Sequence, residues 1–152
     1  MAKRIALYSA VALSMFFTAA GGIAAARAEG PDIIAARQAG FALNNGDWAF
    51  IRSVVQAKGD VKPLEVPARA IGKWAAVIPT MFPAGTDKGD NTKALPEIWS
   101  DPAGFKKDAD ALGAAAMKLA DAAKAGDADA VAAATKEMGE ACGACHKAYR
   151  AK

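Results

Sequence analysis

Apolar side chains recur every three or four residues through most of the chain, which is the spacing of helices with one buried face. Runs of β-branched and aromatic residues with a period of two are missing, and Ala, Lys and Asp are frequent instead. The pattern therefore predicts an all-α fold, in which four helices can be delimited.

The first predicted helix covers about residues 32–58, with Pro31 and Asp32 at its start and Gly59 at its end. Residues 44–47, Asn-Asn-Gly-Asp, include poor helix formers, so the helix could kink or break there. Its inward face, with spacings of three and four, comprises Ile33, Arg37, Phe41, Asn44, Trp48, Ile51 and Val55.

Prolines bound the second predicted helix. Pro67 is tolerated near its first turn, and Pro79 and Pro83 bring it to a close. The stretch after Pro83 has the composition of a loop and leads to a short apolar island at Ile98 and Trp99. The inward face of this helix comprises Ile71, Trp74, Ile78 and Met81.

Capping residues delimit the last two helices. Asp101 followed by Pro102 is a strong helix start, Gly126 ends this third helix, and Asp127 caps the fourth. The short connection implies antiparallel neighbours in a bundle. Because alanine dominates the inward faces, the polypeptide alone would enclose a thin core. These faces comprise Phe105, Ala109, Leu112, Ala116, Leu119 and Ala123 in the third helix, and Val131, Met138, Cys142, Cys145 and Tyr149 in the fourth.

Residues 1–28 have the pattern of a cleaved secretory signal. Lys3 and Arg4 give it a positive start, residues 5–26 carry no charge, and Ala-Arg-Ala at 26–28 is a small-x-small cleavage pattern. The alternative is an uncleaved anchor helix, since the uncharged run is long enough to span a bilayer. Cleavage would leave a single domain at 29–152.

The net charge of the processed protein argues against polyanionic partners. Removing Lys3, Arg4 and Arg27 from the 19 basic residues leaves 16, which equals the 16 acidic residues. The processed protein is therefore close to neutral, and no basic patch with interleaved aromatic residues is present. Neither nucleic acid nor an anionic membrane is an expected partner, and no stable membrane insertion is expected after processing.

The candidate chemistry lies in Cys142-Gly-Ala-Cys145-His146, which contains both cysteines and the only histidine of the sequence. C-x-x-C-H is the attachment signature of c-type haem, in which two thiols add to the haem vinyl groups and the imidazole becomes an axial iron ligand. On a helix, Cys142 and His146 are one turn apart, so all three side chains can reach one macrocycle. Haem would also supply the apolar volume that the alanine-rich core lacks.

A cysteine pair with this spacing has three other interpretations. A thioredoxin-like redox pair follows a strand and begins a helix. The alanine-rich stretch before Cys142 does not have the pattern of a strand. A structural zinc site needs four protein ligands, and the chain has three Cys and His residues. A structural disulfide between Cys142 and Cys145 is the remaining alternative.

Several motifs together are similar to one family. Their order and spacing resemble the cytochrome c′ family, the class II c-type cytochromes, over essentially the whole processed region. The resemblance implies an antiparallel four-helix bundle in the periplasm with one haem c, covalently bound through Cys142 and Cys145. The motifs are Arg37-Gln38 followed by Phe41, the run Phe82-Pro83-Ala84-Gly85-Thr86, Ile98-Trp99, and residues 142–150.

The resemblance also implies roles for particular residues. His146 would be the proximal iron ligand, with Arg150 beside its imidazole. Arg37 and Gln38 resemble the pair placed near the haem propionates, although an ordinary surface charge is the alternative for Arg37. An arginine on an otherwise apolar face would also be stabilised by a buried anion as its partner. Phe41 occupies the distal position of the family, and a plain core aromatic is its alternative interpretation.

Two functions follow. The first is binding of small gases, above all nitric oxide with carbon monoxide as a probe, at a five-coordinate iron in an apolar distal site. The alternative is a periplasmic electron-transfer cytochrome with six-coordinate iron and an unidentified redox partner. An axial methionine would favour the carrier, but Met138 shares the helix of the histidine, and Met81 and Met117 are typical core fillers. Enzymatic activity is not expected, because no second histidine offers acid-base chemistry. The family is often dimeric through its first two helices.

Overall fold

The computed structural model describes residues 32–152, and the predicted signal at 1–28 lies outside this range. The predicted all-α bundle is confirmed. The only β structure in the described range is one isolated bridge between Ala94 and Arg150. None of the helices described is long and apolar enough to cross a membrane. The helices are α1 (Ile33–Ala57), α2 (Glu65–Val77), α3 (Glu97–Ser100), α4 (Pro102–Ala125) and α5 (Ala128–Tyr149).

The ends of the long helices follow the capping residues that the sequence predicts. The carboxylates of Asp32, Asp101 and Asp127 each accept hydrogen bonds from backbone N–H groups in the first turn of α1, α4 and α5. Gly126 ends α4 with a φ of 76°, a conformation that glycine adopts without strain. The short connection at 126–127 makes α4 and α5 neighbours in the bundle.

The predicted weak point in the first helix does not interrupt it. Helix α1 runs unbroken through residues 44–47 because its inward face is held by α2 and α5. A Cβ at Gly46 would meet nothing, so this glycine lowers the helix propensity without leaving a packing defect. Packing of an amphipathic face therefore outweighs local propensity here.

Helix α2 ends earlier than its predicted apolar stripe. A 3₁₀ turn precedes it at Lys62–Leu64, and another follows at Ile78–Met81. Pro79 lies inside the second turn and cannot donate to an α-helical ladder, which explains why the backbone tightens there. Ile78 is still buried, but Met81 is only half-buried.

The core between α2 and α4 is denser than an alanine-rich sequence suggested. All six predicted inward residues of α4 are buried. Gly72 of α2 faces the Met117 side chain, and Gly113 of α4 faces Ala75, so small residues let these helices approach closely. This close packing concerns α2 and α4, whereas the thin core was predicted for the inward faces of α4 and α5. The open volume lies between the first half of α4 and the second half of α5.

The end of α5 is fastened to two other parts of the fold. The Tyr149 hydroxyl donates to Asp101 Oδ2 over 3.1 Å, which joins α5 to the N-cap of α4. The Leu95 N–H donates to the Tyr149 carbonyl at 3.1 Å, and the Ala151 N–H donates to the Lys93 carbonyl at 2.8 Å. The last turn of α5 is therefore held in place by the loop before α3 as well as by α4.

Candidate haem site

A cavity of about 530 Å³ lies between α1, the first half of α4 and the second half of α5. Its volume falls within the range of roughly 300–1,000 Å³ that is usual for ligand and cofactor pockets. Apolar and aromatic side chains from α1, α4 and the 3₁₀ turn form much of its wall. All seven site residues predicted from the sequence line it: Cys142, Cys145, His146, Arg37, Gln38, Phe41 and Arg150.

The two cysteines are half-buried on one continuous helix, and both are free thiols. Burial raises the pKa of the Cys142 thiol. Burial, together with the negative charges of Asp108 and of an ionised Cys142, raises the pKa of Cys145 to about 11. Both groups are therefore protonated thiols at neutral pH, whereas a redox-active pair depends on a stabilised thiolate. This environment does not favour the thioredoxin-like alternative.

His146 lies one turn after Cys142 with its side chain exposed. Loss of solvent where the protein covers the ring lowers the pKa of His146, and the positive charge of Arg150 lowers it further. The imidazole is therefore neutral at neutral pH, which is the form that binds a metal. A covalently held haem requires two free thiols, a neutral imidazole and an adjoining cavity. The site provides all of these, so its residues fit this cofactor.

Arg37 is buried, with 2% of its surface exposed, so the surface-charge alternative is wrong. Its terminal nitrogens donate to the Thr86 hydroxyl (2.8 Å), the Thr86 carbonyl (2.7 Å), the Thr92 hydroxyl (2.9 Å) and the Met81 carbonyl (3.3 Å). The guanidinium also stacks 4.3 Å from the centre of the Phe82 ring. Within residues 32–152 these partners are neutral, and the expected buried anion is not among them. Burial accordingly lowers the pKa of Arg37.

Gln38 holds the same loop as Arg37. Its Nε2 donates to the Asp90 carbonyl over 2.8 Å. Gly89, Asp90 and Asn91 have φ values of 105°, 44° and 53°, a conformation that non-glycine residues adopt only at a cost. The first turns of α1 therefore fix an otherwise unfavourable loop at one edge of the cavity.

Phe41 is half-buried and belongs to both the core and the cavity wall. Its ring meets Trp74 edge-on at 5.5 Å between centroids and Phe82 at 6.4 Å. Gly40 makes this possible, because a Cβ there would collide with the Trp74 ring. Phe41 is therefore both a core aromatic residue and a residue of the cavity wall.

Sequence reasoning missed several residues of the cavity. Phe82 and Phe105 form its aromatic wall, and the amides of Asn44 and Asn45 also line it. The one available signal was Asn44, a polar residue on the predicted inward face of the first helix. Among the residues described, no methionine lines the cavity.

Fold and site together define a helical bundle whose last long helix carries a c-type haem motif beside a cavity. The family model described as cytochrome C′ matches residues 32–150. Cytochrome c′ of Rubrivivax gelatinosus is 37% identical over 123 residues, which cover 80% of this chain and 95% of the relative. The chain belongs to the cytochrome c′ family, whose members bind haem c.

Solved structures agree with this assignment. The crystal structure of cytochrome c′ from Thermochromatium tepidum has a TM-score of 0.74 at 33% identity, and the match covers 79% of this chain and 95% of that one. Cytochrome c prime of Alcaligenes xylosoxidans has been solved as variants with nitric oxide or with carbon monoxide bound, each at a TM-score of 0.71 and 34% identity, covering 80% and 95% of the two chains. Another match, at a TM-score of 0.73, is described as a cytochrome c′ with ligand-controlled dimer dissociation.

Proposed function

We propose that this protein is a periplasmic haem c protein that binds small gases, above all nitric oxide, at a five-coordinate iron. One observation carries the proposal: within residues 32–152 no methionine lines the cavity, and the sequence holds no histidine besides His146. The chain therefore offers one axial ligand and no evident second one. The gas complexes of the Alcaligenes protein support the same ligand class.

Six of the seven predicted site residues then have a defined role. Cys142 and Cys145 would hold a haem covalently through their sulfur atoms, and His146 would ligate its iron through the imidazole. A bound haem would supply an iron that ligates gases and changes oxidation state. Gln38 and the Nε–H of Arg37, which has no acceptor among the residues described, are the donors proposed for the propionates. Phe41 limits access from the side of α1.

Electron transfer is the second candidate, and one feature favours it. Gly143, Ala144 and His146 are exposed, so the attachment motif faces solvent where a redox partner could approach. We propose that the protein is redox-active but that gas binding is its main property, because a carrier with six-coordinate iron would need the second axial ligand. No enzymatic activity is proposed.

We also propose a homodimer formed through α1 and α2. Leu43 and Phe50 on α1 are 75% and 47% exposed, and Val66 and Val77 on α2 are 75% and 42% exposed. Large exposed apolar side chains on neighbouring helices are typical of an association surface. Sedimentation of the haem-loaded protein with and without carbon monoxide would show whether these faces associate and whether gas alters the association.

The decisive experiment is an absorption spectrum of the ferric and ferrous protein, with and without carbon monoxide and nitric oxide. A five-coordinate, high-spin spectrum that changes on adding either gas is expected. A low-spin spectrum that neither gas changes would favour electron transfer over gas binding. Intact-mass analysis of protein from the periplasmic fraction should show one haem on a chain that begins near Glu29, and a mass without haem would refute covalent attachment.

A further inference from the structure

In the described part of the chain, Asp108 is the only acidic residue that lines the cavity. It lies in the first half of α4, and Phe105, Ala109 and Leu112 line the cavity beside it at the spacing of one helix face. Asp108 is half-buried, and none of the salt bridges that the described residues form includes it. The cavity wall therefore holds one acidic side chain that is not paired with a cation.

The negative charge of Asp108 acts on other residues of the cavity wall. Burial is the largest cause of the raised pKa of Cys145, and the charge of Asp108 is the next cause. Burial and Asp101 raise the pKa of Tyr149, and Asp108 raises it further. Since both Cys145 and Tyr149 line the cavity, the charge of Asp108 is felt inside it and not only in the solvent.

The positive charges of the cavity wall belong to Arg37, Lys93 and Arg150. Arg37 donates to neutral oxygens, and Lys93 Nζ donates to the Lys152 carbonyl over 3.1 Å. A haem iron gains one positive charge on oxidation. The three cations of the wall disfavour that additional charge, whereas Asp108 favours it, and the surroundings of a haem are one of the features that set its reduction potential.

We infer that Asp108 lowers the reduction potential of the bound haem by stabilising its ferric state, which rests on the proposed haem binding and redox activity. Coulomb's law with an effective dielectric constant of about 20 over about 10 Å, the width of a sphere of the cavity's volume, gives a roughly 15-fold effect on the ferrous-to-ferric ratio. Because Asp108 is half-buried, screening by solvent reduces the effect, and a roughly 3-fold to 15-fold change is expected when the charge is removed.

The test is a redox titration of the haem-loaded protein at neutral pH, followed by absorption. Asp108→Asn keeps the shape and removes the charge, so the ferrous-to-ferric ratio at a fixed potential should rise by that factor. At about 59 mV per tenfold change for one electron, the reduction potential should move upward by about 30–70 mV. Asp108→Glu keeps the charge and should stay close to the wild type. Asp121→Asn is the charge-matched control, because Asp121 is exposed on the same helix, about 20 Å further along.

The outcomes separate the inference from the function on which it rests. An unchanged potential in Asp108→Asn, with a wild type that titrates reversibly, overturns the inference alone. An equal rise in Asp108→Glu or in Asp121→Asn does the same, because the cause would then be shape or net charge. A changed spin state in Asp108→Asn also overturns it, since coordination would explain the rise. A wild-type protein without a haem redox couple overturns the proposed function and the inference together. If Asp108→Asn does not fold, Asp108→Ser removes the same charge and is held to the same outcomes.

Discussion

Replacing Phe41 by alanine should speed carbon monoxide binding strongly. The ring lines the cavity and contacts Trp74 and Phe82. If an incoming gas has to displace this ring, entry depends on breaking two aromatic contacts. Each such contact is worth about 0.5–1.5 kcal/mol, which makes the barrier about 1–3 kcal/mol higher than in a variant without the ring. The expected acceleration is therefore about 5-fold to 150-fold.

The same substitution has a cost in stability that can be measured separately. A fully buried phenylalanine loses about 3–5 kcal/mol on truncation to alanine. Phe41 is half-buried and one side of its ring faces the cavity, so we expect a loss nearer about 2–3 kcal/mol from the free energy of unfolding. Urea unfolding of the haem-loaded, gas-free protein measures this loss.

Flash photolysis or stopped-flow mixing with carbon monoxide measures the association rate. Gln56→Ala is the control, because Gln56 lies on the same helix, is exposed and does not line the cavity. This control should leave the rate unchanged. An unchanged rate in Phe41→Ala would refute the gating role of the ring, and so would a wild-type protein that is already low-spin.

Four further substitutions test other parts of the site and the fold. Phe41→Met offers a thioether at the cavity wall and should convert part of the protein to a low-spin form in its absorption spectrum; no change would place the residue out of reach of the iron. Replacing Cys142 and Cys145 together by alanine should give an intact mass without haem and a broader, lower thermal transition, whereas an equally sharp and high transition would show that haem does not stabilise the fold. Arg37→Leu removes four charged hydrogen bonds and should cost at least about 3 kcal/mol and speed amide exchange in the loop around Thr86 and Thr92, against a conservative Arg37→Lys that retains part of the protection. Hydrogen bonds from Ala35 and Ile34 lower the pKa of Asp32 below its ordinary 3.8, so its stabilising effect is full above that value and is lost as the pH falls through the lower folded-state value. The stability difference between wild type and Asp32→Asn, measured by urea unfolding, should thus disappear on acidification, and a constant difference would contradict the assignment.

Helix ends and helix faces were accessible from the sequence because their signals are local. Asp101 and Asp127 cap α4 and α5 where predicted, and the alternation of alanine with larger residues located the buried face of α4. The attachment motif was equally clear, since its two cysteines and its histidine lie within about one turn of a helix. In each case the necessary information lies within a few residues.

What the sequence could not provide depends on contacts between distant segments. Nothing local to Arg37 indicates that it would donate to Thr86 and Thr92, which are 49 and 55 positions away. The expected anionic partner was a reasonable inference from charge, but the loop supplies enough neutral oxygens to satisfy the terminal nitrogens. The dense packing at Gly72 was likewise hidden, because small residues indicate either a gap or a close approach, and only the positions of the neighbouring helices decide between them.

The hydrogen bond between Tyr149 and Asp101 has a consequence for how sequences of this type can vary. It joins positions 48 residues apart, and one partner follows His146, the proposed iron ligand, by three residues. The Asp101 carboxylate also caps α4, so losing it would weaken a helix start and leave a hydroxyl near the haem motif without its acceptor. Natural substitutions at these two positions should therefore occur together, and a pairwise co-variation signal between them would reveal, from sequences alone, how the ligand-bearing turn is kept in place.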